Sequence, residues 1–331
     1  MTQLYTNQSG IPLALAVWLA SDYYDYSEAG LSVTTLLKPI RQTVLARRIV
    51  PGTELTDIET MINNRMGAAI HDSIEKGWTT NKKAAMLSLG FAEPLIERVL
   101  VNPTKEQLAA HPNPIPVYME QRARRQVQGL WVSGKYDFVG DGMVEDFKST
   151  STMSFTKGNK DQDYILQGSM YRWLNPEIIT KDTMRINFIF TDWSKMLARQ
   201  SPDKYPQSRV MGKTFPLMSL EETDQWVNTQ VGQLIALKDE LEENLPLCTD
   251  EELWRSEPQF KYYKNPEDAH TPGKRSTKNF DTLAEANAFR AEKGVGYVKV
   301  VPGQVRACLY CPAFLSCKQK DRLIASGDLI V

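Results

Sequence analysis

No apolar run in this sequence is long enough to cross a bilayer. The longest, Ile11 to Ala20, is about half of the roughly 20 residues a spanning helix needs, and no Lys or Arg precedes it to start a secretory leader. We therefore expect a cytoplasmic protein with no membrane partner. An excess of one charge is also missing: 39 Lys and Arg stand against 40 Asp and Glu, a net of -1. Any nucleic-acid partner must be met by local positive surface, so total charge neither supports nor excludes one. The chain has no phosphate loop, no G-x-S-x-G and no internal repeat, and Gly294-Val295-Gly296 is too little for a dinucleotide site. ATP-driven work is thus not expected here, and any helicase or recombination partner would be a separate protein. Cysteine is scarce, with Cys248, Cys308, Cys311 and Cys317 all near or within the last quarter. In a reducing compartment that clustering favours metal over a disulfide framework, and none of the four reads as a nucleophile.

What is present is enough to build a full core. With 331 residues and 42% apolar side chains, the chain holds one large domain with appendages or two modest ones. We divide it into an N-terminal helical region (1–60), a core (61–245) and a C-terminal metal-cluster region (246–331).

The core is organised around residues 126–148, QVQGLWVSGKYDFVGDGMVEDFK. Val127 to Val139 is rich in Val, Trp, Tyr and Phe and reads as a strand. Gly140-Asp141-Gly142 supplies the positive-φ residues of a hairpin turn, and Met143 to Lys148 is a short second strand. Strand side chains alternate, so Asp146 and Lys148 share one face, Glu145 and Phe147 take the other, and Asp137 can reach the Asp146–Lys148 pair. Two carboxylates beside a lysine make a hard, oxygen-rich site suited to Mg²⁺ or Mn²⁺ rather than to zinc or copper. Such an ion activates water and shields charge on a phosphodiester under attack, with lysine as proton acceptor or point charge. Taken alone, D-x-K is a common tripeptide that an exposed hairpin carries equally well.

Four segments in order resemble the PD-(D/E)XK nuclease superfamily, in particular its RecB-like branch, which includes iron-sulfur exonucleases of CRISPR and recombination systems. GAAIH is similar to the helical motif with a metal-binding histidine, here His71, and GKYD to the Asp motif, here Asp137. EDFK is similar to the D-x-K motif, here Asp146 and Lys148, and QGSMY to the QxxxY helix, here Gln167 and Tyr171. The resemblance implies an α/β fold with a restriction-endonuclease-like core: a central mixed sheet flanked by helices, plus a cysteine-cluster C-terminal region. It implies a metal-dependent DNA nuclease, an exonuclease by preference, acting on single- or double-stranded DNA in recombination, repair or phage DNA processing. By the same resemblance His71, Asp137, Asp146 and the Phe147 carbonyl hold one or two Mg²⁺ or Mn²⁺ ions. Lys148 helps activate water or stabilises the pentavalent phosphate, and Gln167 and Tyr171 position the strand or orient Lys148. Glu120 sits where many members carry a glutamate on the preceding strand; contact with metal or water and a surface ladder with Arg122 and Arg124 explain it equally well. Two rival readings are a non-catalytic DNA-binding or recombination accessory protein, and a structural zinc protein of phage or mobile-element assembly.

Along the chain, Leu13 to Tyr23 and Leu36 to Arg48 read as helices, with Thr34 or Thr35 as a cap and Arg41, Arg47 and Arg48 on a solvated face. Ile58 to Trp78 is a helix with an apolar stripe of Met61, Met66, Ala69, Ile70 and Ile74, Gly67 allowing close packing, and His71 directly after the stripe. Lys82 to Leu89 and Pro94 to Val101 suggest short helices, residues 111–116 a linker, and Val117 to Arg125 the first core strand. After Lys148 comes a polar loop expected to be mobile, with Lys157 and Lys160 as candidate phosphate contacts. Tyr164 to Leu174 is a helix, Met184 to Phe190 a strand, and Glu221 to Leu241 an amphipathic helix.

The last cysteines follow C-x2-C-x5-C, with Cys248 about sixty residues upstream as a possible fourth ligand. Four thiolates fit a [4Fe-4S] cluster or structural zinc. The tail spacing is similar to that of the iron-sulfur RecB-like nucleases, whose fourth cysteine precedes the core, whereas here it follows. Residues 249–307 read as a loop of poor core content that a metal would close. Within it, aromatics alternate with Lys261, Lys264, Lys274, Arg275 and Lys278, a pattern for stacking on bases or for a solvated basic hairpin.

Overall fold

The computed structural model of the chain describes residues 5–21, 30–49 and 55–331. These fall into two compact units, one within residues 1–38 and 50–233, the other within 39–49 and 234–331. In chain order the first elements are β1 (Tyr5–Thr6), α1 (Leu13–Ala20), β2 (Leu31–Ser32), α2 (Val33–Leu36), α3 (Ile40–Ala46) and β3 (Thr56–Asp57). Then come α4 (Ile62–Thr80), α5 (Lys82–Ser88), α6 (Glu93–Arg98), β4 (Val99–Val101), α7 (Lys105–Ala110), β5 (Ile115–Val127), β6 (Leu130–Gly140) and β7 (Met143–Thr150). The chain continues through α8 (Thr152–Lys157), α9 (Asp161–Leu174), β8 (Thr183–Phe190), α10 (Lys195–Gln200), β9 (Val210–Pro216) and α11 (Leu220–Leu237).

The first unit is mixed α/β, its central sheet flanked by helices. Seven strands take the order β4-β5-β6-β7-β8-β9 with β2 added to β6. The β4/β5, β7/β8 and β2/β6 pairs are parallel, the others antiparallel. Two tight turns set the antiparallel registers: Gln128-Gly129 (φ 47° and 84°) joins β5 to β6, and Asp141-Gly142 (φ 50° and 75°) joins β6 to β7. The parallel β7/β8 pair needs a crossover, which α8 and α9 supply. Gly168 lets α9 approach the sheet, since a Cβ there would meet the Met184 sulfur at 2.3 Å.

The β6/β7 ladder is short and decides where the site lies. It runs from Gly140↔Met143 to Phe138↔Glu145 and stops. Beyond that point β7 continues only with β8, while β6 has its vacated edge filled by β2 at Val132 and Ser133. On one side of this fork Val99, Val117, Met119 and Phe138 form a core with Ile74 and Trp78 of α4 and with Phe147.

The second unit adds β10 (Gln259–Tyr263), β11 (Lys278–Phe280), α12 (Leu283–Lys293), β12 (Tyr297–Val301) and α13 (Lys318–Ala325). Its three strands take the order β11-β10-β12, antiparallel throughout. Phe289 of α12 packs on Tyr262 and Phe280 at 5.1 and 5.2 Å between ring centroids.

Several sequence expectations change. The strand predicted over Val127 to Val139 begins at Leu130, because the Gln128-Gly129 turn assigns Val127 to β5. The helix predicted over Leu36 to Arg48 is shorter, α3 from Ile40 to Ala46, starting after Pro39; Leu36 instead closes α2, which Ser32 rather than Thr34 or Thr35 caps. Of the predicted helix's three arginines Arg41 departs from the expected solvated face and is buried, whereas Arg47 and Arg48 are exposed, Arg48 donating to the carbonyls of Leu237, Lys238 and Glu240. The helix predicted over Pro94 to Val101 ends at Arg98, since Val99-Leu100-Val101 pairs with Ile115 to Val117 as a strand. The polar segment after Lys148 is not a loop: β7 runs to Thr150, and the Ser151 side chain caps α8. Gly67 is not needed for close packing, as its nearest prospective contact is Ser149 Oγ at 3.8 Å. Residues 249–307 hold the three-stranded sheet and α12 rather than a loop of poor core. The N-terminal region is not purely helical, since β1 pairs with β3. The first predicted helix ends at Ala20, and Asp22 and Tyr23 lie outside the described residues.

Candidate active site

The fork leaves a gap that side chains fill. Where the β6/β7 ladder stops, the Phe147 N–H donates to Asp137 Oδ2 at 3.0 Å, so a carboxylate takes the place of a strand carbonyl. The Phe147 carbonyl accepts from His71 Nε2 at 3.0 Å. A carbonyl only accepts, so Nε2 carries a hydrogen, and a neutral ring must then present its lone pair at Nδ1. That nitrogen lies 3.4 Å from Asp137 Oδ1 and 4.0 Å from Glu120 Oε1. One ligand atom from each of His71, Glu120 and Asp137 falls within 4.8 Å of the others, a group that can hold a metal ion.

Three electron-pair donors converging this closely require positive charge among them. Without a cation a proton supplies it: burial alone would lower the His71 imidazole, but the hydrogen bond and charge of Asp137, the Phe147 carbonyl and the charge of Asp146 raise it to about 9. Glu120 is raised chiefly by burial, with Lys135, which forms an ion pair with its Oε2, pulling the other way.

Asp146, on the next strand, is 1% exposed. Its Oδ1 accepts from Gln167 Nε2 at 3.1 Å. Its Oδ2 forms an ion pair with Lys148 Nζ at 2.6 Å. Burial is the main reason the Asp146 carboxyl is pushed up to about 6, against the pull of Lys148. Burial also depresses the Lys148 ammonium, yet Asp146 and Asp137 outweigh it and hold the group above its ordinary value. Gln167 and Tyr171 share a face of α9, and the amide also donates to the Tyr171 hydroxyl at 3.0 Å. Both are buried, and through the Gln167 amide they act on Asp146.

A hard cation suits this donor set: two carboxylates and one imidazole backed by a carbonyl, with the Asp146–Lys148 ion pair alongside.

The four cysteines belong to the second unit, where all line one cavity of about 30 Å³ with Arg41, Gln319 and Lys320. Burial pushes the Cys248 thiol up to about 12 and raises Cys308 as well, which leaves neither a nucleophile without a metal. Gln319 accepts from Cys248 N and donates to Cys248 O, both at 2.9 Å. Arg41 Nε lies 3.4 Å from Cys317 Sγ, and its guanidinium also holds the carbonyls of Glu242 and Leu245 and pairs with the Glu242 carboxylate.

Sequence reasoning missed three of these groups. Lys135 could have been found from alternation, two residues before Asp137 on the same strand. Tyr164, one turn before Gln167 on α9, has its phenol raised by burial and opposed by the Lys148 charge. Arg41 left no signal, because its partners are some 200 residues away.

No family model and no curated protein matches this chain. Among solved structures it is similar to SSO0001, with 13% identity and a TM-score of 0.37 over 63% of this chain and 78% of that one. It is also similar to a phage-related exonuclease from Haemophilus somnus 129PT, with 16% identity and a TM-score of 0.24 over 36% of this chain and 62% of that one. At these TM-scores neither likeness carries an argument about fold or activity. Among the described residues no helix is long and apolar enough to cross a membrane.

Proposed function

We propose that the protein is a Mn²⁺- or Mg²⁺-dependent deoxyribonuclease of the RecB-like PD-(D/E)XK type, its first unit a restriction-endonuclease-like core. The observation that carries this reading is the convergence of His71, Glu120 and Asp137 on one point beside the Asp146–Lys148 pair. A bound divalent cation would supply an activated water and a counter-charge for the phosphodiester. His71, Asp137 and Glu120 would hold it, with Asp146 and the second lone pair of the Phe147 carbonyl adjacent. Lys148, kept ionised by Asp146 and Asp137, lends its charge to the phosphate under attack. Gln167 fixes the direction of Asp146, and Tyr171 fixes Gln167. DNA is the substrate, exonucleolytic attack the preferred mode, the cytoplasm the compartment, and recombination, repair or phage DNA processing the setting.

For the cysteines we propose a [4Fe-4S] cluster over zinc. The support for iron-sulfur is the C-x2-C-x5-C spacing together with the single cavity that all four cysteines line.

The test is cleavage of single- and double-stranded DNA labelled at either end, with Mn²⁺, Mg²⁺ or chelator. Cation-dependent shortening, lost in Lys148→Ala and Asp146→Ala while DNA affinity persists, is the expected result. Cleavage that survives both substitutions ends the proposal, and DNA binding without cleavage favours the accessory-protein reading. Elemental analysis of anaerobically purified protein decides the second site between iron, with visible absorbance near roughly 400 nm, and zinc.

A further inference from the structure

We propose that Asn102 is a positioning residue for the cation site, acting by holding Glu120 in a backbone conformation that aims its carboxylate at His71 and Asp137. The inference rests on the reading that this site takes a divalent cation.

Glu120 lies inside β5 with φ 52°, the left-handed region that a residue with a Cβ enters only under strain. This is not a bulge. Met119↔Phe138 and Gln121↔Tyr136 keep the same register on either side, and only the Glu120–Asp137 pair is missing from the ladder. One residue has been rotated in place within an otherwise regular antiparallel pair. An extended Glu120 would face Asp137 directly across the ladder, two like charges in the closest cross-strand position. In the rotated form its Oε1 lies 4.0 Å from His71 Nδ1 and its Oε2 pairs with Lys135.

Such a rotation persists only if neighbouring structure enforces it, and Asn102 supplies the enforcement. The β4 backbone pairing with β5 ends at Val101, and Asn102 turns away with φ 47°. Its own N–H still donates to the Val117 carbonyl at 2.7 Å. Its amide then takes over: Oδ1 accepts from Met119 N at 2.8 Å, and Nδ2 donates to Met119 O at 3.2 Å. The side chain thereby continues the ladder its backbone has left. Oδ1 also accepts from Gln121 Nε2 at 3.1 Å, and Gln121 Oε1 accepts from the Tyr136 hydroxyl at 3.1 Å, which ties the far side of the kink to β6. Glu120 is therefore clamped at both neighbouring residues and free at neither.

The decisive experiment is Mn²⁺ titration calorimetry on chelator-treated, full-length protein without DNA, with thermal midpoints recorded alongside. Asn102→Ala should weaken Mn²⁺ binding by about tenfold or more, in the range seen when the groups that orient a ligand are removed. Glu120→Gly should weaken it comparably without lowering the thermal midpoint, because glycine adopts this φ unstrained. The double variant should bind no more weakly than Glu120→Gly alone. If Asn102→Ala fails to fold, Gln121→Leu serves, since it leaves the Met119 clamp and removes the Gln121 leg; a smaller loss of Mn²⁺ affinity is expected. Wild-type affinity in the folded Asn102→Ala or Gln121→Leu protein, a thermal midpoint that falls in Glu120→Gly, or losses that multiply in the double variant overturn the proposal. His71→Ala separates the two levels: if it abolishes Mn²⁺ binding while Asn102→Ala binds Mn²⁺ like the wild type, this inference alone falls. If His71→Ala binds Mn²⁺ like the wild type, the reading of the site falls and takes this proposal with it.

Discussion

Each unit contains a buried glutamine beside its candidate site, and the two amides do different work. Gln167 spends its donors on side chains, the Asp146 carboxylate and the Tyr171 hydroxyl. Gln319 uses both ends of its amide on one main-chain residue, Cys248. Both are 7% exposed, so burial does not distinguish them. What differs is the object held. At the oxygen-rich site the direction of one carboxylate is fixed against a neighbouring ammonium, which matters for reactivity. At the thiol cavity the path of the chain is fixed and the sulfur is left to whatever binds it, which matters for folding.

The sharpest way to break this contrast is at Lys148. Lys148→Ala should cut Mn²⁺-dependent cleavage by about 10²–10³-fold, the range for removing a group that stabilises developing charge, while circular dichroism stays unchanged. A loss of fold in place of a loss of rate would make the first site structural as well.

Proton competition should be the next largest effect. A cation entering beside His71 must displace a proton held up to about 9. Apparent Mn²⁺ affinity should then rise about tenfold from pH 7 to 8 and level off near 9, roughly fiftyfold in all from pH 7 to 9, as measured by calorimetry in several buffers. The sign for stability is opposite. The folded value lies above the ordinary 6.5, so this stabilisation is complete below 6.5 and is lost as pH rises through about 9. Thermal midpoints of chelator-treated protein should fall across that window, and a flat profile for His71→Asn is the control.

Smaller still is the effect at Gln167. Gln167→Leu should lower cleavage by about tenfold, as expected when the group orienting a functional side chain is removed. Gln319→Leu completes the comparison: it strands the Cys248 N–H and carbonyl, and should cost about 1–3 kcal/mol of stability in the second unit, read by hydrogen exchange at residues 246–252. If the Gln167 change proved mainly destabilising and the Gln319 change mainly silent, the distinction drawn between the two amides would collapse.

How much of this was legible depends on how local the cause was. The β6/β7 hairpin and the shared face of Asp146 and Lys148 follow from alternation and a Gly-bounded turn, signals confined to a few neighbouring residues. Gln128-Gly129 was hidden because glutamine is a weak turn residue inside a run rich in Val, Trp and Tyr. The second-unit sheet was hidden by its lysines: interleaved Lys261 and Lys264 suggest surface, yet Tyr262 between them is 2% exposed beneath Phe289. Sequence left Glu120 equally open to a metal or water contact and to a row with Arg122 and Arg124; a single reversed dihedral, which leaves no mark in the sequence, gives it Lys135 and His71 as neighbours.

The fork between β6 and β7 gives Asp137 two duties at once, one oxygen closing a seam of the sheet at Phe147 and the other facing the imidazole. Truncating this residue therefore opens the backbone and empties the coordination sphere together, and an inactive alanine variant is ambiguous by construction. An asparagine whose carbonyl keeps the seam shut while its charge is gone separates those duties, which makes the isosteric change the informative one at this position and the deletion the misleading one.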